Sequence, residues 1–421
     1  MPAITRPRGT NDLLPAEAPL RQWVLETHAR VAAAHGYEPI DTPVFEATEM
    51  YERGTGAGTD VVEKEMFSFT DRGGRQLTLR PEGTPGVLRA VLAAHLDQER
   101  RPVRVRYAGP MFRYARPQAG RYHEFWQLGI EAIGERSPAL DAEVIEVAWR
   151  FYEALGVGGL SLQVNTLGDI DDRLRYRAAL VGYFEPLRDR LCEDCRRRLE
   201  VNPLRLLDCK RDAGLVSGAP QIGPSLSPES QGFFTRVTDL LTAAAIPFSL
   251  NPRLVRGLDY YAHTTFELWH ESLQGAQNAL GGGGRYDGLA EVLGFPPVPG
   301  SGYALGVERT IAVCRELGLG PAPRREGVVV LGVGLTDSPA AAGVARRLRA
   351  AGIAAVLDAS DRRLDRRLAT AARQGARAVV LVGAEEAAQG AATWKDLDTG
   401  RQQTAAVDEV ASELGRLLAG G

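Results

Sequence analysis

A chain of 421 residues with 44% apolar and 24% charged content holds material for two or three folded domains, and its net charge of −3 excludes a global basic field for nucleic acid. No apolar run approaches the roughly 18 residues of a membrane span, and the opening "MPAITRPRGTNDLLP" lacks the apolar core of an export signal. Four cysteines then point to a reducing cytoplasm rather than a disulfide framework.

In chain order, the first expected element is a helix over 17–35, stopped by Gly36 at a C′ position. "LTLRPEGTPGVLR" (77–89) reads as a strand running into a helix, with Thr84 as its cap and Pro85 in its first turn; Glu82 and Thr84 sit at the turn, where polar groups converge on ligands. "RVRYAGPMFRYA" and "FWQLGIEAIG" read as two antiparallel strands around the polar loop "RPQAGRY". In the second strand Gln127, Gly129 and Glu131 alternate onto one face and Leu128, Ile130 and Ala132 onto the other; the polar face is either solvated or a binding surface. Residues 171–249 read as a helical, arginine-rich insertion.

Strand character returns in "RLVRGLDYYAHTTFEL" (253–268), where a period of two puts Arg256 and Tyr260 on one side of the chain. "ALGGGGRYDGL" permits close backbone approach to a ligand but also describes a loose turn, and it matches neither a P-loop nor a dinucleotide fingerprint. "GSGYALGVERTIAVCRELG" sets Glu308 and Arg309 at a helix start, where the arginine opposes the helix dipole. Beyond a Pro/Gly linker the pattern changes to β-α-β-α-β, with Ser338 as N-cap, Pro339 in the first turn and Gly352 as terminator: a small doubly wound domain with a parallel sheet. Nine arginines between Arg346 and Arg377 face only Asp358, Asp361 and Asp365. On the helix 361–374, Leu364, Leu368 and Ala371 form the expected buried stripe, with Arg362, Arg363, Arg366 and Arg367 facing outward.

Taken together, "RGTNDLLP", "GYEPIDTPVFE" with Pro43, "FRYARPQAGRYHEF", "GYALGVERTI", "RGLDYYAHTTFEL" and "GGGGRYDGL" resemble the ordered motifs of class II aminoacyl-tRNA synthetases, and the last two resemble elements peculiar to the histidyl family. The resemblance spans nearly the whole chain. It implies an α/β protein: an α+β catalytic domain on a mixed, mainly antiparallel sheet flanked by helices (1–170 and 250–320), a mostly helical insertion (171–249), a linker (321–326) and an α/β anticodon-binding domain (327–421). It implies ATP-dependent activation of L-histidine and its transfer to tRNA(His), with Mg²⁺, by a cytoplasmic homodimer.

By the same resemblance Arg113 and Arg256 are the catalytic pair on the α-phosphate. Glu82, Gly83, Thr84, Arg113, Gln127, Glu131, Arg256, Tyr260, Tyr261 and Tyr286 bind histidine, with Glu131 and Tyr261 on the imidazole. Arg113, Arg121, Glu124, Phe125 and Arg309 bind ATP, and Arg116 and Gln118 meet the acceptor end of the tRNA. The alternative within the superfamily is the catalytically silent paralogue that regulates ATP phosphoribosyltransferase. "LCEDCRRRLEVNPLRLLDC" offers Cys192, Cys195 and Cys209, three of the four ligands a structural zinc needs; the resemblance requires no metal there, and structural thiols are the expectation.

Overall fold

The computed structural model describes residues 3–419 apart from 57, 58, 60, 116–120, 274–277, 323, 324 and 335–337. It separates into two compact units, Met1–Pro321 and Ala322–Gly421.

The strands of the first unit are β1 (Glu38–Pro39), β2 (Phe45–Ala47), β3 (Phe67–Thr70), β4 (Gln76–Leu79), β5 (Val103–Phe112), β6 (Glu124–Ile133), β7 (Leu160–Thr166), β8 (Ser249–Leu250), β9 (Ala262–His270), β10 (Ala279–Arg285) and β11 (Gly300–Gly306). Eight of them form one sheet in the order β1-β5-β6-β11-β10-β9-β7-β8, and β2-β4-β3 form a small second sheet. Only the short edge strands β1 and β8 pair in parallel; the six between them are antiparallel. The expected hairpin is therefore present, with Phe112 opposite Glu124 and Val103 opposite Ile133.

Alternation in β6 decides which face is which. Leu128, Ile130 and Ala132 enter a core with Val24 and Val31 of the helix Ala18–Ala34, Val144 and Phe151 of the helix Pro138–Ala154, and Val313 of the helix Val307–Glu316. Gly36, at φ +81°, ends the first helix as expected. The helix Pro228–Ala243, within the expected insertion, supplies Phe233, Val237 and Leu241 to this same core. The helical segments before it pack instead, through Tyr176, Leu180, Phe184, Leu199 and Leu206, with Tyr260, Tyr261 and Tyr286 on the opposite face.

The four-glycine run is not a turn. Gly281–Gly284 lie inside β10, paired on both sides, and a Cβ there would overlap the backbone carbonyls of Ala304, Phe266, Gly302 and Thr264 in turn. Two further expectations change. Residues 253–261 lie before β9 rather than in it, so Arg256 and Tyr260 are placed by a loop and not by strand alternation. The helix Thr84–Ala93 has Gly83 at its N-cap with no side-chain cap; Thr84 turns its hydroxyl elsewhere.

In the second unit β12 (Val328–Gly332), β13 (Ala355–Asp358), β14 (Ala378–Val382), β15 (Ala391–Asp396) and β16 (Gln402–Ala406) order as β13-β12-β14-β15-β16. The first three are parallel as expected; β15 and β16 add an antiparallel hairpin, so the sheet is mixed. Val328 and Val330 face the helices Pro339–Ala350 and Val407–Ala419, whereas Val329 and Leu331 face Ala371 and Leu368, which is the doubly wound arrangement. Ser338 caps its helix by accepting from the Ala341 N–H, and Gly352 follows it at φ +79°. Arg367, expected on the surface, is buried: it donates to the Gly332 carbonyl and to Asp358.

Because β10 is clasped by backbone on both sides, Gly283→Ala is expected to destabilise the first unit by about 1–3 kcal/mol through overpacking. A lowered midpoint in urea unfolding, followed by tryptophan fluorescence, checks this.

Candidate active site

One face of β6, β11, β10 and β9 floors a cavity of about 530 Å³. Glu82, Thr84, Arg113, Arg121, Phe125, Gln127, Arg256, Tyr260, Tyr261 and Arg309 all line it. Segments far apart in sequence thus converge, and Arg113 and Arg256 share one cavity.

Each guanidinium is oriented by the fold. Arg113, just past the end of β5, donates through Nε to the Pro81 carbonyl at 2.8 Å and lies 5.5 Å from the centroid of the Phe125 ring. Arg256 pairs with Glu267 at 2.5 Å and lies 5.6 Å from the centroid of the Tyr261 ring. Burial disfavours charge on Arg256, but Glu267 outweighs it, so the group is held firmly cationic. Arg309 donates to the Ala279 carbonyl at 2.6 Å, and burial together with nearby Arg121 and Arg113 lowers its pKa. Among the described residues, Gln127 Oε1 and Arg256 Nε are buried without a hydrogen-bond partner.

One carboxyl group lines the polar wall and a second lies behind it. Glu82 accepts from Thr55 Oγ1 and the Tyr260 hydroxyl, each at 2.7 Å. Burial raises its pKa, opposed by Arg113 and these donors. Glu131 accepts from Thr84 Oγ1 at 2.7 Å, the Tyr286 hydroxyl at 2.6 Å and the Tyr107 hydroxyl at 3.4 Å. It is fully buried, and desolvation pushes it up to about 8. The Tyr107 ring fits only because Gly83 and Gly129 carry no Cβ. Glu131 and Tyr286 therefore stand behind the cavity wall rather than in it, with Thr84 between Glu131 and the open space.

Glu124, at the start of β6, does not line the cavity and interacts with Arg21. Arg116 and Gln118 lie outside the described residues. Sequence reasoning missed three contributors. Glu267 was detectable, since it shares the quoted stretch with Arg256. Tyr107, which supports Glu131, carries no local signal, whereas Glu308, noted at its helix start, accepts from the Trp126 N–H at 3.0 Å. Arg205, which reaches the cavity from the helical insertion, carries no local signal either.

The cavity's carboxyls give a pH prediction. Glu131 has an ordinary value of 4.5 and a folded value of about 8. Folding therefore takes up a proton between those values, and stability falls as pH rises through that window, levelling off above it. Glu131→Gln should remove its share of this fall; denaturation midpoints of both proteins at pH 5.5 and 8 measure it.

The family model for histidyl-tRNA synthetase matches residues 9–178 and 227–310, and that for an anticodon binding domain matches 327–417. The curated histidine–tRNA ligase of Desulforudis audaxviator is 47% identical over 418 residues, covering 98% of this chain and 99% of its own. That of Bacillus subtilis is 43% identical over 411 residues, covering 96% of each. The crystal structure of apo S. aureus histidyl-tRNA synthetase superposes with a TM-score of 0.82 at 33% identity, covering 98% of this chain and 99% of that one. A structure described as an ATP phosphoribosyltransferase regulatory subunit/histidyl-tRNA synthetase, from Bacillus halodurans, shares the fold at 23% identity and a TM-score of 0.65. With motifs, cavity and full-length relatives in agreement, the chain belongs to the histidyl-tRNA synthetase family.

Proposed function

We propose that the chain activates L-histidine with ATP to histidyl-adenylate and transfers the histidyl group to the 3′ end of tRNA(His). The observation that carries this reading is the arrival of Arg113 and Arg256, from separate segments, in one cavity. In the first step the histidine carboxylate attacks the α-phosphorus and pyrophosphate leaves. Both reactants are anions and charge grows on the α-phosphate oxygens, so fixed cations and alignment supply the catalysis. Arg113 and Arg256 hold that phosphate, bidentate and permanently charged. Arg309 and Arg121 take the adenine side and the distal phosphates, and the Phe125 ring stacks on the base. Mg²⁺ would come with the nucleotide and would offset charge on its phosphates.

Glu82, already aligned by Thr55 and Tyr260, receives the substrate ammonium, with Thr84 and Gln127 beside it. Tyr261 and Glu131 read the two nitrogens of imidazole, one a donor and the other an acceptor. For Glu131 to do so, Thr84 must swing from between it and the ligand. The motif-2 loop, with Arg116 and Gln118, meets the acceptor end. In the second unit Arg346, Arg347, Arg349, Arg362, Arg363, Arg366 and Arg373 are exposed and offer phosphate contacts to the anticodon arm. The silent regulatory reading is disfavoured by the anticodon-binding match and by the curated relatives' shared description as ligases.

A homodimer is supported by exposed apolar side chains in and around the small sheet and its "TPVFE" entry: Val44, Phe45 and Phe69, with Phe45 and Phe69 ring centroids 6.4 Å apart. The working compartment is the reducing cytoplasm; no helix among the described residues is long and apolar enough to cross a membrane, and the four cysteines are unpaired.

Histidine-dependent ATP–pyrophosphate exchange tests the reading directly. Arg256→Ala should lower its kcat by about 10²–10³ while the histidine KM moves far less. The double variant Arg256→Ala/Glu267→Gln, which leaves no unpaired carboxylate, should be equally slow. A parallel loss of histidine affinity in both would make Arg256 a scaffold group. Phe45→Glu should convert dimer to monomer in sedimentation velocity; an unchanged dimer would place the interface elsewhere.

A further inference from the structure

Cys192, Cys195, Cys209 and Asp212 each present one ligand atom, and these four atoms lie within 4.8 Å of one another. Two short steps of chain produce the cluster. C-x-x-C opens the helix Glu193–Val201, with Cys192 as N-cap and Cys195 in its first turn. C-x-x-D follows the 3₁₀ turn Pro203–Asp208, with Asp212 opening the helix Ala213–Val216. The fourth group was invisible as a ligand in sequence, where only the cysteines stood out.

The distances rule out a disulfide and match the edges of a tetrahedral ion. Cys192 Sγ and Cys209 Sγ are 3.8 Å apart. A disulfide needs about 2.05 Å. A tetrahedral ion with zinc–sulfur bonds of about 2.3 Å has sulfur–sulfur edges of about 3.8 Å. Cys209 Sγ to Asp212 Oδ2 is also 3.8 Å, near the roughly 3.6 Å edge expected between sulfur and carboxylate ligands. The Asp212 carboxylate is aimed from outside as well: the Cys192 backbone N–H donates to it at 3.0 Å. Cys195 is fully buried, while Cys192 and Cys209 are partly buried at the edge of the same apolar core, which leaves an ion a path of entry.

We propose that Cys192, Cys195, Cys209 and Asp212 bind one zinc ion, which clamps the segment between the two steps against the cavity wall. That segment carries Arg205, which lines the cavity, and Asn202, whose side chain donates at 2.6 Å to Asp259 of the "RGLDYY" loop. Binding displaces the thiol protons to solvent as the thiolates form, so uptake is weaker at low pH.

Full-length protein, kept reduced and purified without added metal, is assayed by elemental mass spectrometry. About one zinc per chain is expected, and chelator-stripped protein given cobalt(II) should show thiolate-to-cobalt charge-transfer absorption. Cys195→Ser and Asp212→Ala should each lower the zinc retained, whereas Cys314→Ser, distant in the other core, should keep it. If Cys195→Ser does not fold, the cobalt spectrum of the unaltered chain decides. Reduced, folded protein that carries no zinc and gives no charge-transfer band on stoichiometric cobalt overturns the proposal, as does a Cys192–Cys209 disulfide in freshly isolated protein.

Discussion

Arg113 and Arg256 meet in one cavity because each guanidinium is aimed by an acceptor that the fold itself supplies, the Pro81 carbonyl for one and the Glu267 carboxylate for the other. Gathering cations out of water is costly, and the cost is visible in Arg309, whose charge is disfavoured by burial and by Arg121 and Arg113. Glu82 and Glu267, on the same cavity wall, offset it. The resulting field is fixed by the fold itself, so a polyanion entering this cavity would demand little reorganisation of it. Everything that shapes the sheet beneath acts through this arrangement.

That sheet reconciles two demands. One face must be apolar enough to bury four helices, and the other polar enough to line a cavity. Alternation along β6 meets both, sending Leu128, Ile130 and Ala132 to the core and Gln127 and Glu131 to the site. In β10, between β11 and β9, Gly281–Gly284 carry no Cβ to overlap the neighbouring strands' carbonyls. Gly281 leaves bare backbone on the cavity floor.

What was legible in the sequence was local or periodic. The helix ending at Gly36, the Ser338 cap, the β5–β6 hairpin and the two faces of β6 all follow from rules that need no knowledge of neighbours. What escaped was decided by partners far along the chain. A glycine run carries no pattern, so only the adjoining strands make it a strand. Thr84 has every mark of a cap, but the buried carboxyl of Glu131 competes better for its hydroxyl. Arg367 looks like a surface charge until Asp358, on the adjoining strand, and the Gly332 carbonyl draw it inward. The motif residues of the cavity were nameable from resemblance, whereas their stations, Glu131 and Tyr286 behind the wall and Glu124 aside, required coordinates.

Arg205 carries a wider consequence. A side chain from the helical excursion forms part of the reaction vessel, and Leu206 and Leu199 share a core with Tyr260 and Tyr286. The excursion is therefore no detachable ornament that evolution could trim or exchange freely. The excursion and the cavity wall are packed through one core, so a force on either is carried by the same side chains.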